Sequence, residues 1–135
     1  MLDTNTVSRI LKGKSPATRA KLAALKANEI ACISAITEAE LRYGVARRPN
    51  SHTLLASLEA FFTKIQILPW GRDEAMAYGQ LRAKQEASGK TLGNLDMLIA
   101  AHAIALGAIL VTNDNAFAHV PDLSATVNWA TDLSL

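Results

Sequence analysis

Short continuous apolar runs alternate along this chain with longer segments whose apolar positions recur every three or four residues. Runs of the first kind suit strands buried on both faces, and segments of the second suit the helices that cover them. Met1 and Leu2 make the first run, residues 29 to 34 (EIACIS) the second, 65 to 70 (IQILPW, closed by Pro69) the third and 108 to 112 (AILVT) the fourth. Residues 126 to 129 add a last short strand. Helices are expected over residues 5 to 12, stopped by Gly13, and from Pro16 to about Lys26, with Ser15 as cap. Others are expected over 35 to 48, up to Pro49, and over 51 to 65, where Leu54, Leu55, Leu58 and Phe62 keep helical spacing. The last two run over 72 to 88, ended by Gly89, and from 95 to Gly107. The alternation predicts an α/β fold, a three-layer α/β/α sandwich around a central, mainly parallel sheet of four to five strands, forming one domain over residues 1–135.

One segment breaks the pattern. In LDMLIAAHAIA, residues 95 to 105, nine of eleven residues are apolar and the exceptions are Asp96 and His102. A helix this apolar packs inside a domain, where an unpaired carboxylate costs several kcal/mol or gives up its charge. Something must compensate Asp96. His102 lies six residues on, on another face of the helix, and is read as a structural histidine.

The remaining acids supply a reason. Asp3 directly follows the first strand and Asp114 the fourth, Asp96 stands in the first turn of the helix that leads into the fourth, and Glu40 stands one turn into the helix after the second. All four fall at one edge of the sheet, where ligands of such sheets bind. Glu38 is an internal control. It shares a face with Arg42 as a solvated i,i+4 pair, whereas Glu40 aligns with Ile36, Tyr43 and Gly44, expected to be a packed face. Taken singly each acid has a simpler explanation as a turn residue, a first-turn acid or a surface glutamate. Together they pose an electrostatic problem, because two unit charges ~4 Å apart repel by about 4 kcal/mol at an effective dielectric near 20. A cation would resolve it, and hard oxygen ligands select Mg²⁺ or Mn²⁺ over zinc.

Composition narrows the field without deciding it. The chain has 135 residues, half of them apolar and 19% charged, as expected of a single globular domain rather than a disordered or fibrous chain. No apolar run reaches the roughly 18 residues of a bilayer span, and the N-terminus lacks a signal-peptide core, so a cytoplasmic protein is expected. One cysteine, Cys32, in a buried strand, leaves no intrachain disulfide to build. Residues 1 to 48 hold nine Lys or Arg against four acids, weak support for a polyanionic partner.

LDTN at 2 to 5, ITEAELRYG at 36 to 44, GNLDMLIAAHA at 93 to 103 and ILVTNDNAF at 109 to 117 resemble, in order, the four acidic motifs of PIN-domain ribonucleases. The sequence is most similar to the VapC toxins of bacterial toxin–antitoxin pairs. The resemblance implies that Asp3, Glu40, Asp96 and Asp114 are catalytic, metal-binding acids, with Asn5 and Thr112 as polar neighbours. It also implies Mg²⁺- or Mn²⁺-dependent endonucleolytic cleavage of RNA, a homodimer, and inhibition by a cognate VapB-type antitoxin. With only Met1 and Leu2 before Asp3, the first strand is expected to be unusually short. Arg82 and Lys90, then Arg42 and Arg9, are the first candidates to contact the RNA backbone. Two rivals stay open at this point: a non-catalytic RNA- or protein-binding module of the same fold, and a receiver- or phosphohydrolase-like domain with Asp3 as nucleophile. The second wants a lysine just after a late strand, and Lys90 instead precedes a helix.

Overall fold

A computed structural model describes residues 1–131. Six α-helices and four three-residue strands follow one another as α1 (Thr4–Leu11), α2 (Pro16–Ala23), β1 (Cys32–Ser34), α3 (Ala35–Ala46), α4 (His52–Phe62), β2 (Gln66–Leu68), α5 (Arg72–Ser88), α6 (Asn94–Leu106), β3 (Ile109–Val111) and β4 (Ala125–Val127). β1 pairs with β2 and β3 with β4, both in parallel. Met1–Leu2 joins the two pairs. The Leu2 N–H donates to the Cys32 carbonyl at 2.9 Å, the Val111 N–H donates to the Met1 carbonyl at 2.7 Å, and Leu2 bridges Val111 in parallel. The strands therefore stand in the order β2, β1, Met1–Leu2, β3, β4, with the very short first strand at the centre.

Alternate strand residues serve opposite faces, as a period of two requires. Met1, Cys32 and Leu110 point into one core with Leu81 of α5 and Met97, Ile99 and Ala103 of α6. Leu2, Ile33 and Val111 point into the other with Val7 and Ile10 of α1, Leu41 and Val45 of α3, and Leu58 and Phe61 of α4. This is the three-layer α/β/α sandwich expected. α6 is buried on nearly every side, at Met97, Ile99, Ala100, Ala101, His102 and Ala103, which is why its sequence has no amphipathic stripe. Gly89 and Gly107 end α5 and α6 in the left-handed region, at φ 69° and 64°, the conformation for which glycine carries no Cβ penalty.

Several expectations need correction. The second helix ends at Ala23, and the Ser15 hydroxyl does not cap its backbone but pairs with Thr18 Oγ1 at 2.6 Å. The strands and the helices α3 and α4 are shorter than the apolar runs that marked them. Asn115–His119 form a 3₁₀ helix where no element was expected, and the last strand is Ala125–Val127 rather than 126 to 129. Among the described residues no helix is long and apolar enough to cross a membrane.

Candidate metal and active site

Each of the four acids is fixed by the element that carries it. Asp3 leaves the central strand with its N–H bonded to the Val111 carbonyl at 3.0 Å and caps α1, its Oδ1 accepting the Thr6 N–H at 2.9 Å. Its side chain is buried, with 3% exposure. Asp114 follows β3, where buried Thr112 accepts the Asp114 N–H on Oγ1 at 3.0 Å, and Asp114 Oδ1 accepts the Ala116 N–H at 2.9 Å. These are turn bonds of the kind Asp and Thr make with nearby backbone. Asp96 stands in the first turn of α6 beside Gly93, the uncapped start of that helix. A Cβ on Gly93 would lie 3.6 Å from Asp96 Oδ2, so the carboxylate folds back over the helix start.

Glu40 reaches the group through a residue that the sequence reading missed. Thr4 donates its hydroxyl to Glu40 Oε1 at 2.6 Å and also lies 3.3 Å from Thr37 Oγ1, tying α1 to α3. Thr4 is the third residue of LDTN, and its position directly after Asp3 was the available signal. The buried residues of α3 are Thr37, Leu41 and Val45; of the face expected to be packed, Ile36 packs against the core from a half-buried position and Gly44 is half-buried, but Tyr43 is 68% exposed. Glu40 is half-buried at the margin of that face. Glu38 pairs with Arg42 at 2.8 Å, as expected of a solvated i,i+4 pair.

The four carboxylates feel one another. Burial pushes the Asp96 carboxyl above its usual range, and the charges of Asp114, Glu40 and Asp3, in that order, push it further. Among the described residues no Lys or Arg forms an ion pair with any of the four. One oxygen each of Asp3, Glu40 and Asp114 is taken by a neighbouring donor, which leaves Asp3 Oδ2, Glu40 Oε2, Asp114 Oδ2 and both Asp96 oxygens without a donor among the described residues. Among the described residues no three acids, histidines or cysteines stand in a ready-made cage for an ion. The donor set is nevertheless all hard oxygen, negatively charged and short of hydrogen bonds, so it fits a divalent cation of the Mg²⁺ or Mn²⁺ kind.

Of the other expected site residues, Thr112 sits at the edge as described, while Asn5 is exposed and makes no hydrogen bond among the described residues. Arg42 is held by Glu38 and by Glu59 at 2.6 Å and lies 5.1 Å from the centre of the Phe62 ring. Arg82 is held by Glu86 at 3.1 Å and donates to Tyr78. Arg9 and Lys90 are exposed and carry no ion pair among the described residues. Of the aromatic residues, Phe117 is core, and Trp70 donates its indole N–H to the Leu98 carbonyl at 3.0 Å.

His102 is fully buried and links the layers behind the site. Its Nδ1 lies 2.8 Å from the Ser34 hydroxyl, which caps α3 by accepting the Ile36 N–H. Its Nε2 faces Glu74 of α5 at 3.3 Å without completing a hydrogen bond. Burial pushes the imidazole below its usual value of 6.5, against the opposing pull of Glu74. A neutral histidine held this way contributes stability that is complete above pH ~6.5 and lost as pH falls below it, because only the unfolded chain then gains the proton. The melting temperature of the wild type is therefore expected to fall further between pH 7.5 and 5.5 than that of His102→Gln. Parallel declines in a calorimetric comparison would contradict this.

Comparison with known proteins extends the picture. The PIN domain family profile matches residues 1–123. Ribonuclease VapC2 of Rickettsia felis is 35% identical over 130 residues, 96% of each chain. The tRNA(fMet)-specific endonuclease VapC of Shigella flexneri is 35% identical over 114 residues, 84% of this chain and 85% of that one. The crystal structure of VapBC2 from Rickettsia felis bound to a DNA fragment from its promoter superposes with a TM-score of 0.91 at 35% identity, over 96% of this chain and 97% of that one.

Proposed function

The chain belongs to the PIN-domain family, and from that premise we propose that it is a VapC-type endoribonuclease toxin, which cuts phosphodiester bonds of RNA until a cognate VapB-type antitoxin neutralises it. The observation that carries this reading is the grouping of Asp3, Glu40, Asp96 and Asp114 at one sheet edge, with no Lys or Arg among the described residues paired to any of them. A bound divalent ion would offset the charge that the other three acids place on Asp96. Asp3, Asp96 and Asp114 are the proposed ligands of Mg²⁺ or Mn²⁺. A divalent ion held there supplies Lewis acidity that lowers the pKa of water and neutralises charge on the phosphate.

The protein's own groups do the positioning. Thr4 holds one oxygen of Glu40, so the other is aimed rather than free to rotate, and Glu40 orients the attacking water or completes the ligand set. Thr6 and Ala116 hold Asp3 and Asp114 in the same way through their N–H groups. Arg9 and Lys90 contact the RNA backbone in preference to Arg42 and Arg82, whose charge is already neutralised by glutamates. The tRNA(fMet) specificity in the name of a relative at 35% identity supports a structured, translation-related RNA as substrate, and hence action in the cytoplasm. Large apolar side chains left exposed at Tyr43, Met76, Leu106 and Ile109 support partner surfaces for a homodimer and for the antitoxin.

The test is cleavage of structured RNA by the purified chain in Mg²⁺ or Mn²⁺ and in EDTA. Cuts that appear with metal and vanish with chelator are expected. Intact RNA in the presence of demonstrably bound metal would instead favour a binding module.

A further inference from the structure

Beside Asp114 the sheet edge opens into a cleft of about 280 Å³ whose polar lining includes Asn113, Asp114, Asn115, Thr126, Asn128 and Thr131. Among the described residues no lysine or arginine lines it, and Asp114 gives it a carboxylate, so the lining described disfavours a phosphate. What it offers is amides. The Asn128 side chain is pinned, its Oδ1 accepting the Ala130 N–H at 3.0 Å, and forms a wall. Those of Asn113 and Asn115 are exposed and make no hydrogen bond among the described residues. Asn113 also faces a narrow second cleft, shared with Asn128, that continues past Trp129 to Arg9. The edge thus runs from Arg9, which carries no ion pair among the described residues, through amides to the acid at Asp114.

A carboxamide presents an N–H donor and a C=O acceptor side by side in one plane, and so pairs in a bidentate way with a neighbouring acceptor and donor on the edge of a nucleobase. Single-stranded RNA is read through such edges when its bases splay out of the stack. The volume falls just below the ~300 Å³ at which pockets take drug-sized ligands, which suits one base with its sugar. We propose that this cleft is the subsite that seats the nucleobase flanking the scissile phosphate, with Asn113 and Asn115 reading its pairing edge. This inference rests on the ribonuclease reading for its place in a reaction, because Asp114 is common to the cleft and the acid cluster. It does not rest on that reading for the binding itself.

Two measurements on the full chain separate the claims. In magnesium buffer, the side-chain NH₂ signals of Asn113 and Asn115 are followed by NMR during titration with adenosine, guanosine, cytidine, uridine and inorganic phosphate. Saturable shifts of both signals by one nucleoside in preference to the others, and none by phosphate, are expected. In parallel, cut ends are sequenced from RNA randomised around the cleavage position. The wild type is expected to favour one base at one flank, and Asn113→Ala/Asn115→Ala to lose that bias by about tenfold, the low end of what a bidentate contact discriminates, while bias at the opposite flank persists. An unchanged bias in the double variant would overturn the proposal, as would equal shifts with all four nucleosides or a response to phosphate instead. Should the wild type cut no RNA, the ribonuclease reading fails, and the nucleoside titration alone decides whether the cleft binds a base.

Discussion

Asp96→Asn is expected to lose at least about a hundredfold in RNA cleavage, the scale for removing one preorganised charge at a reacting centre, while the ion-free protein becomes more stable rather than less. The second half is the more diagnostic. Asp96 is half-buried, accepts no hydrogen bond among the described residues, and has its carboxyl pushed up by burial and then by Asp114, Glu40 and Asp3. An acid whose folded pKa is raised is bound more tightly as the protonated form, so at neutral pH its charge works against the fold. The dipole of α6 favours that charge only by about 0.3–1 kcal/mol. Asparagine keeps the shape and removes the repulsion, and a gain near 1 kcal/mol would raise the melting temperature by roughly 2–5 °C. Thermal melts in EDTA beside cleavage assays in Mn²⁺ check both halves. An active Asp96→Asn, or one markedly less stable than wild type, would contradict the assignment.

The same acidification that weakens the His102 contribution relieves Asp96. As pH falls toward the raised Asp96 value, the native state takes up a proton that the unfolded chain still lacks, and stability contributed by that group rises. The two effects oppose each other in the wild type. They separate in the variants, because Asp96→Asn leaves the histidine term and His102→Gln leaves the carboxylate term.

Asp3 allows a second dissection, because its two oxygens have different duties. Oδ1 caps α1 through the Thr6 N–H, and Oδ2 is left for a cation. Asp3→Asn keeps an acceptor of equal capping quality and loses the charge, so cleavage should fall at least about a hundredfold with little change in stability. Asp3→Ala loses both, and should be equally inactive and less stable by about 1 kcal/mol. Matched unfolding curves and cleavage rates for the two variants provide the check. Substantial activity in Asp3→Asn would show that its role is only to cap the helix.

The layers were legible in the sequence because burial on both sides of a sheet demands uninterrupted apolar runs, and these stand out at EIACIS, IQILPW and AILVT. Their ends were not legible. Only three residues of each run pair as strand, a length that the apolar pattern does not mark. Asp3, Asp96 and Asp114 could be found because a strand end or a buried helix start makes a carboxylate conspicuous. Glu40 was found through its contrast with Glu38, although Tyr43, placed on the same packed face, lies 68% exposed while Ile36 of that face does pack on the core. Thr4 and Ser34 escaped notice. Their hydroxyls act on groups 36 and 68 residues away, so that even where Thr4 stands directly after Asp3 the sequence does not name the partner it holds.

That four carboxylates of this chain hold one divalent cation site is best tested by calorimetric titration of Mn²⁺ into the wild type and Asp96→Asn. Saturable binding by the wild type is expected, weakened in the variant by more than the 10- to 100-fold that follows loss of a mere outer-shell partner. Equal affinity in the two proteins, or no binding by a folded wild type, would contradict it.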